Sequence, residues 1–213
     1  MAHNAVAVDQ FPYRADKDDY VLFLGRMNPE KGADLAIGVA RAADRRLILA
    51  AKCNEPAERA WFETVIRPQV GTGVEWIGEA DGPTKKELLA KARCLLLPIR
   101  WEEPFGLVMV EAMACGTPVI ALRQGSVPEV VADGVTGIIC DDPAELPRAI
   151  GRAGELSPAS CRRRARQRFD VAVLAASYEG VYRELLDRVP SRSGLHPVLV
   201  QVPVEAGGRS RPA

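Results

Sequence analysis

The chain has 213 residues, 47% of them hydrophobic and 26% charged, which is enough for one well-buried domain with an appendage and a tight fit for two full domains. Lys plus Arg and Asp plus Glu both number 28, so no overall field draws nucleic acid or an anionic membrane, and any anion site must be local. The two histidines, His3 and His196, lie near the ends, which excludes an internal Ser-His-Asp triad or an H-E-x-x-H metal site; the five cysteines, Cys53, Cys94, Cys115, Cys140 and Cys161, have no metal-ligand spacing and are expected as reduced, mostly buried thiols.

Residues 1–19 are polar and turn-rich, end in the charge run Arg14–Asp19, and read as a linker, with structure beginning at Tyr20. They contain no apolar core of signal-peptide length, and no run approaches the roughly 18 apolar residues of a membrane span, so a soluble, cytoplasmic chain is expected. From Tyr20 onward, short apolar runs alternate with helical stretches. Tyr20–Leu24, Leu47–Ala51, Val74–Ile77, Cys94–Ile99, Pro118–Ala121 and Gly137–Cys140 lack polar alternation and read as strands buried on both faces. Helices are predicted at about 33–43, 56–70, 83–92, 106–115, 126–132 and 143–154, with Pro83 as a start signal and Gly116-Thr117-Pro118 as a stop. The repeated strand–helix order implies right-handed crossovers, hence an α/β domain of Rossmann type: a parallel sheet with helices on both faces and ligands at the carboxyl ends of the strands.

One more helical stretch is expected at 157–188, with Phe169, Val173, Leu174, Tyr178, Val181 and Leu185 on one stripe. From Pro190 the chain has Pro and Gly punctuation, and 189–213 reads as a disordered tail in which Val198–Val204 is a candidate strand. The run Arg162-Arg163-Arg164-Ala165-Arg166-Gln167-Arg168 reads as a solvated helix face rather than a nucleic-acid patch, and Trp61, Trp76 and Trp101 as core or cleft-rim packing, with Trp101 a candidate to flank a sugar. No fixed-period repeat is present, and no G-x-G-x-x-G follows the first strand, which argues against a dehydrogenase.

Two constellations follow predicted strands. The first, Gly25-Arg26-Met27-Asn28-Pro29-Glu30-Lys31-Gly32, puts two cations on a Gly-bounded loop. Arg26 by a planar fork and Lys31 as a point charge suit a diphosphate, although Lys31 paired to Glu30 on a solvated loop is the plainer alternative. The second runs from Trp101 to Gly116 as WEEPFGLVMVEAMACG. Gly106 lets a backbone approach a ligand, and the helix behind it opens free N–H groups toward the strand ends. Glu103 and Glu111 stand roughly 7–10 Å apart at helical rise, too far to share a proton and suited to gripping separate hydroxyl pairs. Glu111 lies among apolar neighbours and needs a partner, which a structural ion pair would equally provide.

Gly25-Arg26…Lys31-Gly32, together with Glu103-x7-Glu111 inside EPFGLVMVEAMACGTPVIA, resembles the C-terminal half of the GT-B-fold retaining glycosyltransferases of family 4. The resemblance continues through Gly125-Ser126-Val127-Pro128-Glu129-Val130-Val131 and Asp133-Gly134-Val135-Thr136-Gly137 and covers about residues 4–187. It implies a hexosyltransferase-type enzyme that binds a nucleoside-diphosphate sugar, UDP-sugar by preference and GDP- or ADP-sugar as alternatives, without metal or other cofactor. Arg26, Lys31 and Glu103 would be the catalytic residues, and Arg26 and Lys31 would neutralise the diphosphate. Glu103 and the backbone of Phe105, Gly106 and Leu107, with Val108, would meet the sugar, while Glu111 would hold the ribose. Gly25 would line the site, and Gly78 and Glu79, after the third strand, would meet the base. Retention with no evident nucleophile implies front-face attack, with a donor phosphate oxygen helping to take the acceptor's proton.

Family members normally carry an N-terminal acceptor domain, and His3–Phe11 resembles the interdomain linker. The expectation is therefore an excised domain or one whose partner is a separate chain, inactive or weakly active alone, with a terminal helix whose bare apolar stripe favours self-association. The non-enzymatic alternative is a nucleotide- or nucleotide-sugar-binding module.

Overall fold

The computed structural model describes residues 2–188, so the expected tail at 189–213 lies outside the described residues. Six strands form one parallel sheet: β1 (Tyr20–Arg26), β2 (Arg46–Lys52), β3 (Val74–Gly78), β4 (Cys94–Leu97), β5 (Val119–Leu122) and β6 (Gly137–Cys140). The α-helices among the described residues are α1 (Ala33–Ala42), α2 (Pro56–Trp61), α3 (Gly82–Lys91), α4 (Leu107–Ala114), α5 (Val127–Val130), α6 (Leu146–Arg152), α7 (Pro158–Phe169) and α8 (Val171–Arg188).

The strand order is β3-β2-β1-β4-β5-β6. The chain steps outward from β1 to β3, then crosses back to start the other half at β4. Loops leaving β1 and β4 therefore diverge to opposite sides and open a crevice between them, the switch point where sheets of this kind bind ligands.

Alternation along each strand feeds two cores. Val21, Phe23, Leu47, Leu49, Leu96 and Ile120 pack with Ile37, Ala40, Phe62 and Ile150 on one face. Leu22, Ile48, Leu95, Leu97 and Val119 pack with Leu89, Met109, Met113 and Phe169 on the other. Of the five cysteines, four are buried and Cys53 is half-buried, all free. Burial pushes the thiols of Cys94, Cys115 and Cys161 up to about 12, so they stay protonated at neutral pH.

The structure departs from the sequence expectations in four places. The segment before Tyr20 has structure of its own: Val6 bridges to Asp170, Val8–Gln10 form a 3₁₀ turn, and Val8 and Phe11 are buried. The helix expected across 56–70 is α for six residues, then turns into a π segment at Phe62–Ile66 and a 3₁₀ turn at Arg67–Gln69, where Pro68 lacks the amide that a regular helix would use. The helix expected across 157–188 breaks at Asp170, whose backbone is extended and whose carboxylate accepts from the Ala172 amide at 3.0 Å and the Val8 amide at 3.2 Å. An aspartate that binds backbone donors on both sides ends one helix and caps the next. Residues through Tyr178 form one compact unit, and the helical residues Glu179–Arg188, with Val181 and Leu185 exposed, belong to a second.

The fourth departure is two arginines of the basic run. Arg162 donates to the carbonyls of Phe11 at 2.9 Å and Val8 at 3.3 Å, and Arg164 to those of Val130 at 2.7 Å and Glu129 at 2.9 Å. These two guanidinium groups staple α7 to its neighbours by reaching carbonyls at the chain turns beneath them, while Arg163, Arg166 and Arg168 are exposed as expected of a solvated face. No helix among the described residues is long and apolar enough to cross a membrane.

Candidate functional site at the sheet switch point

The loop after β1 is locked from several directions. Asn28 Oδ1 accepts from the Lys31 amide at 3.0 Å, and Gly32 takes a left-handed conformation with φ of 77°. A Cβ at Gly32 would stand 2.2 Å from the Pro98 carbonyl oxygen, so only glycine fits there. Arg100, just past β4, grips Asp34 through both terminal nitrogens at 2.8 and 2.9 Å and donates to the Pro29 carbonyl at 2.9 Å. The first and fourth strand ends are thereby joined into one rigid rim.

On that rim Lys31 Nζ lies 2.6 Å from Glu103 Oε2, with side-chain exposures of only 20% and 13%. The Trp101 indole N–H donates to the same oxygen at 3.1 Å, and its ring lies 4.3 Å from the Lys31 ammonium. The plainer Lys31–Glu30 pair thus gives way to a contact across the crevice. Glu103 is fixed from behind as well: its carbonyl accepts from the Ser126 amide at 2.9 Å, and a Cβ at Gly125 would come within 2.4 Å of its backbone.

Arg26 ends β1 and takes a different partner, Glu58 on α2, with Nε 2.7 Å from Oε1. Glu58 is only 5% exposed, and its other oxygen accepts from the amides of Asn54 at 3.0 Å and Glu55 at 3.2 Å. Burial alone would raise the carboxyl, but those amides and Arg26 outweigh it and hold it below the usual range. Glu111, inside α4, pairs with Lys85 of α3, Nζ to Oε1 at 2.7 Å.

Helix α4 begins at Gly106 with no side-chain cap, so its first amides point back at the strand ends. Gly106 has φ of 70°, and a Cβ there would meet Met109 Cε at 2.6 Å. Its left-handed backbone is what favours glycine, since the tip of the Met109 side chain can move aside. Phe105 has its ring 5.9 Å from that of Phe169, Leu107 is exposed and Val108 half-buried. Gly78 closes β3 with φ of 78°, and Glu79 behind it lies 3.9 Å from Lys52. A cleft of about 240 Å³ runs along these strand ends, lined by Leu24, Gly25, Ala50, Lys52, Glu79, Ala80, Gly82 and Lys85. Among the described residues no three His, Cys, Asp or Glu side chains are grouped to hold a metal ion.

The family model for glycosyl transferases group 1 matches residues 8–180. The chain belongs to that family. It is 39% identical over 126 residues to the alpha-maltose-1-phosphate synthase of Mycolicibacterium smegmatis, a match that covers 56% of this chain and 32% of the relative. Among solved structures, AviGT4, a glycosyltransferase involved in avilamycin A biosynthesis, superposes with a TM-score of 0.76 at 29% identity, over 89% of this chain and 59% of that one. Anabaena HepE, solved in complex with UDP-glucose, shares the fold with a TM-score of 0.70 at 21% identity, over 86% of this chain and 57% of that one. The chain spans about a third to a half of the length of the curated relatives it matches.

For this glycosyl transferases group 1 chain, the residues singled out in sequence therefore collect at one end of the sheet, in two clusters and an arginine held by its own carboxylate. Sequence reasoning missed three of the partners. Glu58 carried a readable signal, since Glu55-Pro56-Ala57-Glu58 is a capping box and a carboxylate anchored that way is aimed by the helix start. Arg100 and Lys85 carried none, because their partners lie 66 and 26 residues away on other elements.

Proposed function

We propose that this chain is the donor-binding half of a retaining, family 4 type glycosyltransferase, holding a nucleoside-diphosphate sugar at the switch point of its sheet. The observation that carries the reading is the meeting of Lys31, Glu103 and the uncapped start of α4 on one rigid rim, with Glu111 behind it. A diphosphate would take Lys31, Arg26 and the open amides. Glu103 would then accept from sugar hydroxyls and Glu111 from the ribose, with the base along the cleft past Gly78 and Glu79. Charge developing on the departing diphosphate would meet these fixed donors as in an oxyanion hole, and two cations with a helix start make metal unnecessary. UDP is favoured as the nucleotide, since the relative of the same fold named above was solved with UDP-glucose. Hexosyl transfer requires an acceptor-binding domain, in cis or in trans.

Calorimetric titration with UDP, GDP and ADP in the absence of metal tests the reading. Saturable binding of one of them is the expected result and names the base; no binding of any overturns the assignment of the site. Release of sugar from the bound donor separates an enzyme from a binding module.

A further inference from the structure

The Lys85–Glu111 pair deepens this reading and rests on it. Glu111 sits in α4 between Val110 and Ala112, both fully buried, and its side chain is only 14% exposed. An ionised carboxylate in such surroundings is costly unless a cation meets it. Lys85 supplies that cation from α3, and it does so against the local preference of its own helix. It stands in the first turn, where the helix dipole favours negative charge. A lysine at that position contributes little to α3 itself, so its reason must lie across the gap.

The backbone that carries Lys85 is fixed to the loop at the base end of the cleft. Asp81 accepts from the Thr84 amide at 2.8 Å through its side chain and from the Lys85 amide at 2.8 Å through its carbonyl. Ala80, Gly82 and Lys85 line the same cleft, which at about 240 Å³ is smaller than the roughly 300–1,000 Å³ of a complete ligand site and suits one part of a ligand. Lys85 engages only Oε1 of Glu111. A carboxylate offers about four acceptor positions, so Oε2 and a second position on Oε1 remain for a vicinal hydroxyl pair.

We propose that Lys85 is the positioning residue that sets the ribose preference of this site: it fixes the Glu111 side chain and aims its open acceptors at the 2′ and 3′ hydroxyls of the bound nucleotide. Lys85 also ties the helix bearing that carboxylate to the loop expected to meet the base. Recognition of ribose and base is thereby linked through one ammonium group.

The test is calorimetric titration of the wild type and of Lys85→Met, Lys85→Arg and Glu111→Gln with UDP and with 2′-deoxy-UDP, or with the GDP or ADP pair if one of those binds instead. The wild type is expected to prefer the ribose form about tenfold. Lys85→Met should lose about tenfold in affinity for UDP and little for its deoxy analogue, while Lys85→Arg should recover most of the preference. Equal losses on both nucleotides in Lys85→Met, or an unchanged preference, overturn the role of Lys85. If Glu111→Gln abolishes the preference while Lys85→Met keeps it, the inference fails and the donor-site reading stands. If Glu111→Gln keeps the preference, or no diphosphate binds the wild type, both fail together. Should Lys85→Met not fold, Lys85→Gln carries the same comparison.

Discussion

The two poles of the sheet use their cations in opposite ways. At the carboxyl ends of the strands Lys31, Arg26 and Lys85 meet carboxylates from other elements, at 2.6, 2.7 and 2.7 Å. Around the C-termini of the helices, Lys17 and Arg162 meet mainly backbone carbonyls, those of Ala90 and Cys115 at the ends of α3 and α4 and of Val8 and Phe11 in the first segment, with the exposed Asp9 carboxylate 3.8 Å from Arg162. A carbonyl at a helix end is permanent and has no charge to exchange, so a cation on it is a staple. A carboxylate–cation pair on an open rim is different, because an arriving phosphate or hydroxyl can replace either member. The rim is thus expected to respond to ligand and the staples to hold the fold.

The largest effect expected from breaking this comparison is on the rim. Arg26→Ala combined with Lys31→Ala should abolish the preference for a nucleoside diphosphate over the free nucleoside and lower diphosphate affinity by about a hundredfold or more, since each removes a charge-assisted contact of roughly 1.5–3 kcal/mol. Titration with UDP and uridine measures it, and a preserved preference for UDP removes both residues from the diphosphate site. The converse substitution is Arg162→Ala at the staples. Losing its carbonyl contacts should cost about 2 kcal/mol and roughly 4–8 °C in melting temperature, with nucleotide affinity unchanged. A change in affinity there would erase the distinction between the poles.

Much of this division was legible in the sequence, for identifiable reasons. Most strands were readable because they are buried on both faces and so carry an unbroken apolar run, as in Leu95–Leu97, whereas edge strand β3 alternates, with Glu75 and Ile77 exposed. The rim was readable where it is local, since Gly25 to Gly32 and Glu103 to Glu111 each occupy one short stretch. What escaped were couplings across elements. Arg100 to Asp34, Lys85 to Glu111 and Arg162 to the first segment join residues whose sequence spacing carries no period. The break at Asp170 escaped for a related reason: the apolar stripe continues through it, and only the distant Val6–Val8 segment shows why an aspartate there caps rather than continues.

Glu58 sharpens the comparison, because it is a buried carboxylate serving an exposed rim cation. Glu58→Gln keeps the shape and one carbonyl acceptor but removes the charge that holds Arg26, so diphosphate affinity should fall about tenfold and stability by about 1 kcal/mol. Its pH dependence has a definite sign. The folded-state carboxyl is held low, so its contribution to stability is present above the ordinary glutamate range and is lost as pH falls through the folded value. Acid melts of the wild type and Glu58→Gln should therefore converge at low pH; parallel curves would show that the buried carboxylate gains nothing from its ionised form.

The smallest effect expected lies with Lys17, the staple whose charge is least comfortable. Its ammonium donates to Ala90 O at 2.8 Å, Thr117 Oγ1 at 2.9 Å and Cys115 O at 3.2 Å, yet burial pulls it down from 10.5 to about 8. Between those values the unfolded chain holds a proton that the folded chain has lost, so this group makes stability rise with pH from about 8 to 10.5 and leaves it level below 8. The buried thiols act oppositely, because their folded values are raised and the unfolded chain loses protons first. Their contribution is common to wild type and Lys17→Met and largely cancels in the difference between the two. That difference in melting temperature should grow by roughly 1–2 °C per pH unit across the window, after allowance for the partial exposure of the side chain. A flat difference would mean that three neutral acceptors are enough to keep the proton in place, and that a staple at this pole can hold its charge without any anion.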